Sequence, residues 1–236
     1  MRISIFGLGY VGAVSAGCLA RDGHEVVGVD PVPTKVDLVN RGQSPIIEQD
    51  IGEIMAQAVR DGRLRATADV AQAIRDTEVS FVCVGTPSQA NGNLELKYIR
   101  RVCEEIGQAL AGKDEPHAVV IRSTILPGTM SEVIVPALAE HSGKTPGRDF
   151  ALCNNPEFLR EGTAVHDFYN PPKTVIGELA PGNGDAVAAI YASLDAPLIR
   201  TGTRTAEMVK YVDNVWHALK IGFANEIGNI CKSHGI

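Results

Sequence analysis

Short apolar runs alternate along this chain with longer stretches of helical period. That alternation predicts a mostly parallel sheet flanked by helices. Ile3–Phe6, Glu25–Val29, Val79–Val84, Ala118–Ile121, Phe150–Cys153 and Thr174–Gly177 read as strands. Val11–Arg21, Lys35–Asn40, Gly52–Arg60, Leu96–Leu110 and Val187–Leu194 read as helices between them. Asn155–Lys173 holds three prolines and few apolar pairs, which predicts a long functional loop or a short irregular helix. From about Thr205 to His234 no proline interrupts the helical pattern, which runs for about 30 residues or roughly 45 Å. On a wheel of about 100° per residue, Val209, Trp216, Leu219, Phe223, Ile227 and Ile230 share one arc and predict a buried face. Lys210, Asn214, His217 and Asn225 share another. Such a polar stripe ordinarily faces solvent. Amides and an imidazole nevertheless solubilise a helix less well than Glu and Lys would, so a ligand-facing stripe stays equally open.

The chain has 236 residues, enough to bury a core without disulfides or metals. The pattern divides it into a domain at 1–203 and a connecting helix at 204–236. Its net charge is −6, and its densest basic patch, Arg60–Arg65, contains no aromatic residue, which excludes ordinary nucleic-acid binding. Five scattered cysteines form neither a disulfide framework nor a metal cluster, and fit a reducing cytoplasm. Ile3–Ala20 is free of charge after Met1-Arg2 and superficially resembles a secretory leader. Gly7, Gly9, Gly12 and Gly17 interrupt it at a spacing with a better explanation, and no membrane association is expected.

That explanation is Gly7-Leu-Gly9-Tyr10-Val11-Gly12, a GxGxxG motif placed after an apolar strand and before a helix. The glycines permit a tight turn, close backbone approach to a pyrophosphate, and tight packing of helix on strand. Free N–H groups and the dipole at the helix start hold phosphates. A second strand, Glu25–Val29, ends at Asp30, where a carboxylate can bind both ribose hydroxyls and repels a 2′-phosphate. The expected architecture is therefore a Rossmann-like, doubly wound α/β sheet followed by a long helix, and the expected cofactor is NAD.

In open parallel sheets, ligands sit beyond the carboxyl ends of the strands. Gly85-Thr86-Pro87, Arg122-Ser123-Thr124 with Pro127-Gly128, and Asn154–Glu161 all follow predicted strands. Each by itself is ordinary turn chemistry. Together on one edge they favour a pocket.

Gly7–Gly12, Asp30, Lys35, Gly85-Thr86-Pro87, Ser123-Thr124, Asn155–Glu161 and Glu207–Asn214 together resemble the nucleotide-sugar dehydrogenases that oxidise a sugar 6-hydroxyl to a carboxylate. The resemblance covers essentially the whole chain. Asn214-Val-Trp-His217 and Phe223–Asn229 are most similar to the members acting on GDP-mannose in alginate synthesis, with those acting on UDP-glucose as the alternative. The resemblance implies that Gly7, Gly9, Tyr10, Val11, Gly12, Asp30, Lys35, Thr86 and Thr124 line the NAD site. Glu161, Lys210, Asn214, His217 and Asn225 would hold the nucleotide sugar. Family chemistry is two hydride transfers, with a cysteine holding the aldehyde as a thiohemiacetal and then a thioester. Thr124 would position a water, Glu161 would assist its attack, and Lys210 and Asn214 would stabilise the oxyanion. Family members pair through the long helix, which implies a homodimer.

Two features depart from the family pattern. Its nucleophile lies in a Gly-Gly-x-Cys-x-x-Lys-Asp motif after the long helix, and no such motif occurs here. Cys18, Cys103 and Cys231 fall in predicted helices, Cys83 and Cys153 in predicted strands. The chain thus reads as the amino-terminal part of such an enzyme, inactive alone. Asp213 stands where a small neutral residue would be less surprising. Two other classes compete with this reading. One is a small 3-hydroxy-acid dehydrogenase, disfavoured by Asn155–Glu161, and the other is a non-catalytic NAD-binding or dimerisation module.

Overall fold

Valine and isoleucine dominate the short runs, and β-branched side chains favour extended backbone packed on both faces. In the computed structural model, which describes all 236 residues, these runs pair into one sheet. Its strands are β1 (Arg2–Phe6), β2 (Glu25–Val29), β3 (Leu64–Thr67), β4 (Val79–Val82), β5 (Ala118–Ile121), β6 (Ala151–Asn154), β7 (Thr174–Glu178) and β8 (Leu198–Gly202). The order across the sheet is β3-β2-β1-β4-β5-β6-β7-β8. All neighbours are parallel except β6 and β7, which run antiparallel. The helices are α1 (Tyr10–Arg21), α2 (Pro33–Asn40), α3 (Ile51–Arg60), α4 (Val70–Asp76), α5 (Lys97–Ala111), α6 (Val135–Ser142), α7 (Ala164–Tyr169), α8 (Asp185–Ile190) and α9 (Thr203–Ser233).

Alternate strand residues feed two cores. Ile3, Ile5, Phe81 and Val120 pack with α1 and α3, while Phe6, Val82, Val119 and Ile121 pack with α5 and α6. The expected doubly wound α/β architecture is present, with its strand order reversing between β1 and β4. A dinucleotide crevice belongs at that reversal.

Several elements escape the sequence pattern. β3 and β8 are sheet edges, and an edge strand needs no continuous apolar run. α4 and α6 were not anticipated either, and α6 follows a π-helical turn at Met130–Ile134. The strand expected to reach Val84 ends at Val82, so Cys83 lies one residue past it. The ambiguous Asn155–Lys173 segment resolves into a loop and the six-residue α7.

The largest correction concerns α9. Its expected buried face is open, with Trp216 58% and Phe223 67% exposed. Only Ala206, Glu207 and Lys210 are buried on this helix. After those first turns α9 leaves the sheet, and no other part of the chain covers its apolar residues. No helix is long and apolar enough to cross a membrane.

A buried polar chain links the central strands β1 and β4 to the residue just before β5. Ser4 Oγ lies 2.7 Å from Ser80 Oγ, which lies 2.7 Å from His117 Nε2. Burial, and then the nearby Lys113 ammonium, push the His117 imidazole down to about 3 from an ordinary 6.5. The unfolded chain therefore binds a proton that the folded chain does not as pH falls through that window. Stability from this group is complete above about pH 6.5 and is lost progressively toward pH 3. His117→Gln is expected to flatten the decline of the urea midpoint between pH 7 and pH 5. An unchanged pH slope in the variant would refute the assignment.

Candidate functional site

Gly7 leaves β1 at φ +93°, a left-handed conformation that side chains disfavour. At Gly12 an added Cβ would sit 1.8 Å from the Gly7 carbonyl oxygen, so α1 meets the loop only through glycine. At Gly9 an added Cβ would touch nothing within 4 Å. Gly9 is also the N-cap of α1 without any side-chain cap, so the amides of Tyr10 and Val11 stay free of helix partners. Open backbone and free amides at a helix start fit a pyrophosphate.

Asp30 is buried where β2 ends. Its Oδ2 accepts from Leu8 N–H at 2.8 Å and from Lys35 Nζ at 3.1 Å, and its Oδ1 accepts from Val32 N–H at 3.0 Å. The carboxylate therefore ties the glycine loop to β2 and brings Lys35 beside it. Thr86 Oγ1 donates to the Thr124 carbonyl at 2.6 Å, joining the loops after β4 and β5. Tyr10 reaches the other way. Its hydroxyl bonds Glu48, which also accepts from Gly162 N–H at 2.8 Å and Ala164 N–H at 3.1 Å. Burial and the Glu48 hydrogen bond push the Tyr10 phenol up to about 12. Tyr10 thus fastens the loop before α7 to the glycine loop.

The second half of the site grows from β5 and β6. Arg122, buried at the end of β5, donates from Nη1 to Asn155 Oδ1 at 2.5 Å and to the Tyr191 hydroxyl at 3.0 Å. Asn155 in turn donates to the Val175 carbonyl at 2.8 Å. The loop after β6 is thereby bolted to the end of β5 and to β7. It presents Glu157, whose Oε1 lies 2.9 Å from Lys210 Nζ, with both side chains at most 10% exposed. Lys210 is held in place because Glu207, one turn earlier on α9, accepts the amides of Gly128 and Met130 at 2.7 Å each.

The carboxylate on Lys210 is thus Glu157, whereas Glu161 lies exposed four residues on, near enough to Tyr10 to raise its phenol. Both acids stand in one motif, and no local signal separates them. A cleft of about 590 Å³ between this loop and α9 is lined by Phe158, Arg160, His166, Lys210, Asn214 and His217, among others. Lys210, Asn214 and His217 therefore come together. Asn225 is 15 residues beyond Lys210 on an exposed stretch, roughly 22 Å along the helix axis. Thr124 sits in the loop after β5, half-buried beside Thr86. Arg122 and Glu207, which stand in sequence motifs without an assigned role, and Glu48, which stands in none, do the holding. Among His, Cys, Asp and Glu side chains no group could hold a metal.

Four of the five cysteines are poor nucleophiles. Burial pushes the thiols of Cys18, Cys83, Cys103 and Cys153 up to about 12. At Cys153 the neighbouring Glu178 carboxylate adds to this. Cys231 lies near the far end of α9, about 30 Å past Lys210.

Fold and site together define a dinucleotide-binding α/β domain with a second, polar site built on its last helix. Residues 1–195 match the NAD binding domain of the UDP-glucose/GDP-mannose dehydrogenase family, and residues 204–236 match its central domain. The chain belongs to that family. A GDP-mannose 6-dehydrogenase of Azotobacter vinelandii is 58% identical over all 236 residues, which cover 54% of that protein. A UDP-glucose 6-dehydrogenase of Haloferax volcanii is 42% identical, over 100% of this chain and 56% of its own. The crystal structure of a ternary complex of GDP-mannose dehydrogenase from Pseudomonas aeruginosa superposes with a TM-score of 0.98 at 56% identity. It is covered to 54% by the whole of this chain. The chain therefore spans about half the length of the relatives it matches.

Proposed function

We propose that this chain supplies the NAD site and one wall of the sugar site of an enzyme that oxidises GDP-mannose to GDP-mannuronate. The buried Lys210–Glu157 pair carries the reading, because it stands with Asn214 and His217 at the strand edge that also bears the glycine loop. NAD, when bound, accepts the hydride. The amides of Tyr10 and Val11, with Gly7, Gly9 and Gly12, hold its phosphates, while Asp30, Lys35, Thr86 and Thr124 line its remainder. Lys210 and Asn214 donate to oxygen at the reacting carbon, where preformed donors in a dry site act strongly. Glu157 keeps Lys210 oriented, Thr124 positions a water, and His217 lines the sugar cleft. Glu161 and Asn225 fit this scheme only as outer contacts to the nucleotide sugar.

Thermal melts with NAD, NADP, GDP-mannose and UDP-glucose test the proposal, because a ligand raises the midpoint of the state it binds. NAD and GDP-mannose are expected to raise it, and NADP is not. A preference for UDP-glucose would move the substrate assignment, and indifference to NAD would refute the whole reading. The five cysteines are buried or remote, so the 236-residue chain is expected to form no GDP-mannuronate by itself. Accumulation of that acid would overturn this expectation. A reducing cytoplasm suits those unpaired thiols.

Asp30→Ala is expected to weaken NAD about tenfold or more and to relax discrimination against NADP. It removes the ribose partner and leaves the Leu8 amide without its acceptor. Titration calorimetry with both dinucleotides checks this, and equal affinity of the unmutated chain for both would refute it. The open apolar face of α9, from Val212 through Trp216, Phe223 and Ile230, supports pairing with a second copy of the chain. A dimer mass in light scattering is expected, and a strictly monomeric mass at high concentration would count against it.

A further inference from the structure

Two ammonium groups meet one aromatic ring beside the Lys210–Glu157 pair. The Phe158 ring centroid lies 4.2 Å from Lys173 Nζ and 5.6 Å from Lys210 Nζ. Each lysine has its own carboxylate. Lys210 pairs with Glu157 at 2.9 Å, and Lys173 pairs with Asp213 Oδ1 at 3.0 Å. Asp213 and Lys210 are three residues apart on α9 and so share a side of the helix.

Glu157 and Lys173 also border the same small cavity, about 30 Å³ and room for roughly one water. The other carboxylate lining that cavity, Asp167, is engaged at 2.7 Å by Arg160. A Lys173 released from Asp213 would still be drawn to the Phe158 ring, because a ring face attracts a cation. The carboxylate then open to it is Glu157. One carboxylate shared by two ammonium groups would leave Lys210 poorly paired in a place where it is almost wholly buried.

We propose that Asp213 is a positioning residue that holds Lys173 in an ion pair and thereby reserves Glu157 for Lys210. Its bearing on sugar oxidation rests on the function proposed above, whereas the competition between the two lysines does not. This gives the unexpected acid on α9 a role. A small neutral residue there would leave Lys173 without its partner.

Pulse acetylation of lysines in the folded chain, read by mass spectrometry, tests this without substrate. Lys210 is protected in the unmutated chain. Asp213→Asn is expected to raise its labelling about fivefold, the scale of one part-exposed ion pair. Asp213→Glu is expected to keep the protection. Adding Lys173→Met to Asp213→Asn is expected to restore it, because the competitor is gone, whereas simple loosening of α9 would leave Lys210 labelled in both variants. Unchanged labelling in Asp213→Asn, or an equal rise in the double variant, overturns the proposal. Should Asp213→Asn fail to fold, Asp213→Ser is read in the same way, alone and with Lys173→Met added to it. An NAD-induced thermal shift measured on the same samples reports separately on the function reading.

Discussion

Gly12→Ala is expected to abolish NAD binding and to destabilise the domain more than any other single methyl addition in the glycine loop. The new Cβ would fall 1.8 Å from the Gly7 carbonyl oxygen and 3.3 Å from Cys83 Cβ. A backbone oxygen cannot rotate aside like a side-chain tip, so α1 must move away from β1. Overpacking of this kind costs about 3 kcal/mol or more, and it displaces the Tyr10 and Val11 amides from the phosphate position. NAD affinity should fall by at least about a hundredfold, the equivalent of that energy. Gly9→Ala is the control. Its Cβ meets no atom of the chain, so it should leave folding nearly intact while still obstructing the cofactor. Melting curves and calorimetry on both variants check the pair. A Gly12→Ala protein that melts normally and binds NAD would refute the packing argument.

Lys210→Met is expected to cost about 3 kcal/mol of folding stability, because it strands the Glu157 carboxylate in a buried place. For a domain of this size that is a fall of roughly 6–12 °C in the midpoint. Glu157→Gln should cost less, since the amide can still accept from Lys210. Combining the two should recover much of the loss of Lys210→Met, as expected when a buried pair is removed together. Costs that simply add would show that the two side chains act independently. Under the proposed function, both single variants also lose sugar oxidation in the assembled enzyme, because the oxyanion donor is removed or misdirected.

The cofactor half of the site was readable because its signals are local. A strand, three glycines, a helix start and an acid at the end of the next strand follow one another within thirty residues, and each constrains its neighbours through turn geometry or helix dipole. The edge strands β3 and β8 were not readable, because pairing on one side leaves little demand for apolar side chains. α6 was masked by the π-helical turn that leads into it.

The polar half depended on long-range contact. Glu157 and Glu161 occupy equivalent-looking places in one motif. Only the bolt from Arg122 to Asn155, which sets the path of the loop, turns Glu157 toward Lys210 and leaves Glu161 in solvent. Asp213 is equally mute in the sequence, because Lys173 comes from a loop far away in the chain.

By itself the sequence determined the doubly wound architecture, the glycine loop, the place of Asp30 and the length of the last helix. Periodicity and backbone sterics decide these within a few turns of chain. Tertiary structure alone decided which carboxylate pairs with Lys210, which helix residues line the cleft beside the loop after β6, and that the apolar stripe of α9 stays uncovered. Helical periodicity says which residues share a face, but burial of that face requires a neighbour, and α9 leaves its neighbours behind after Lys210.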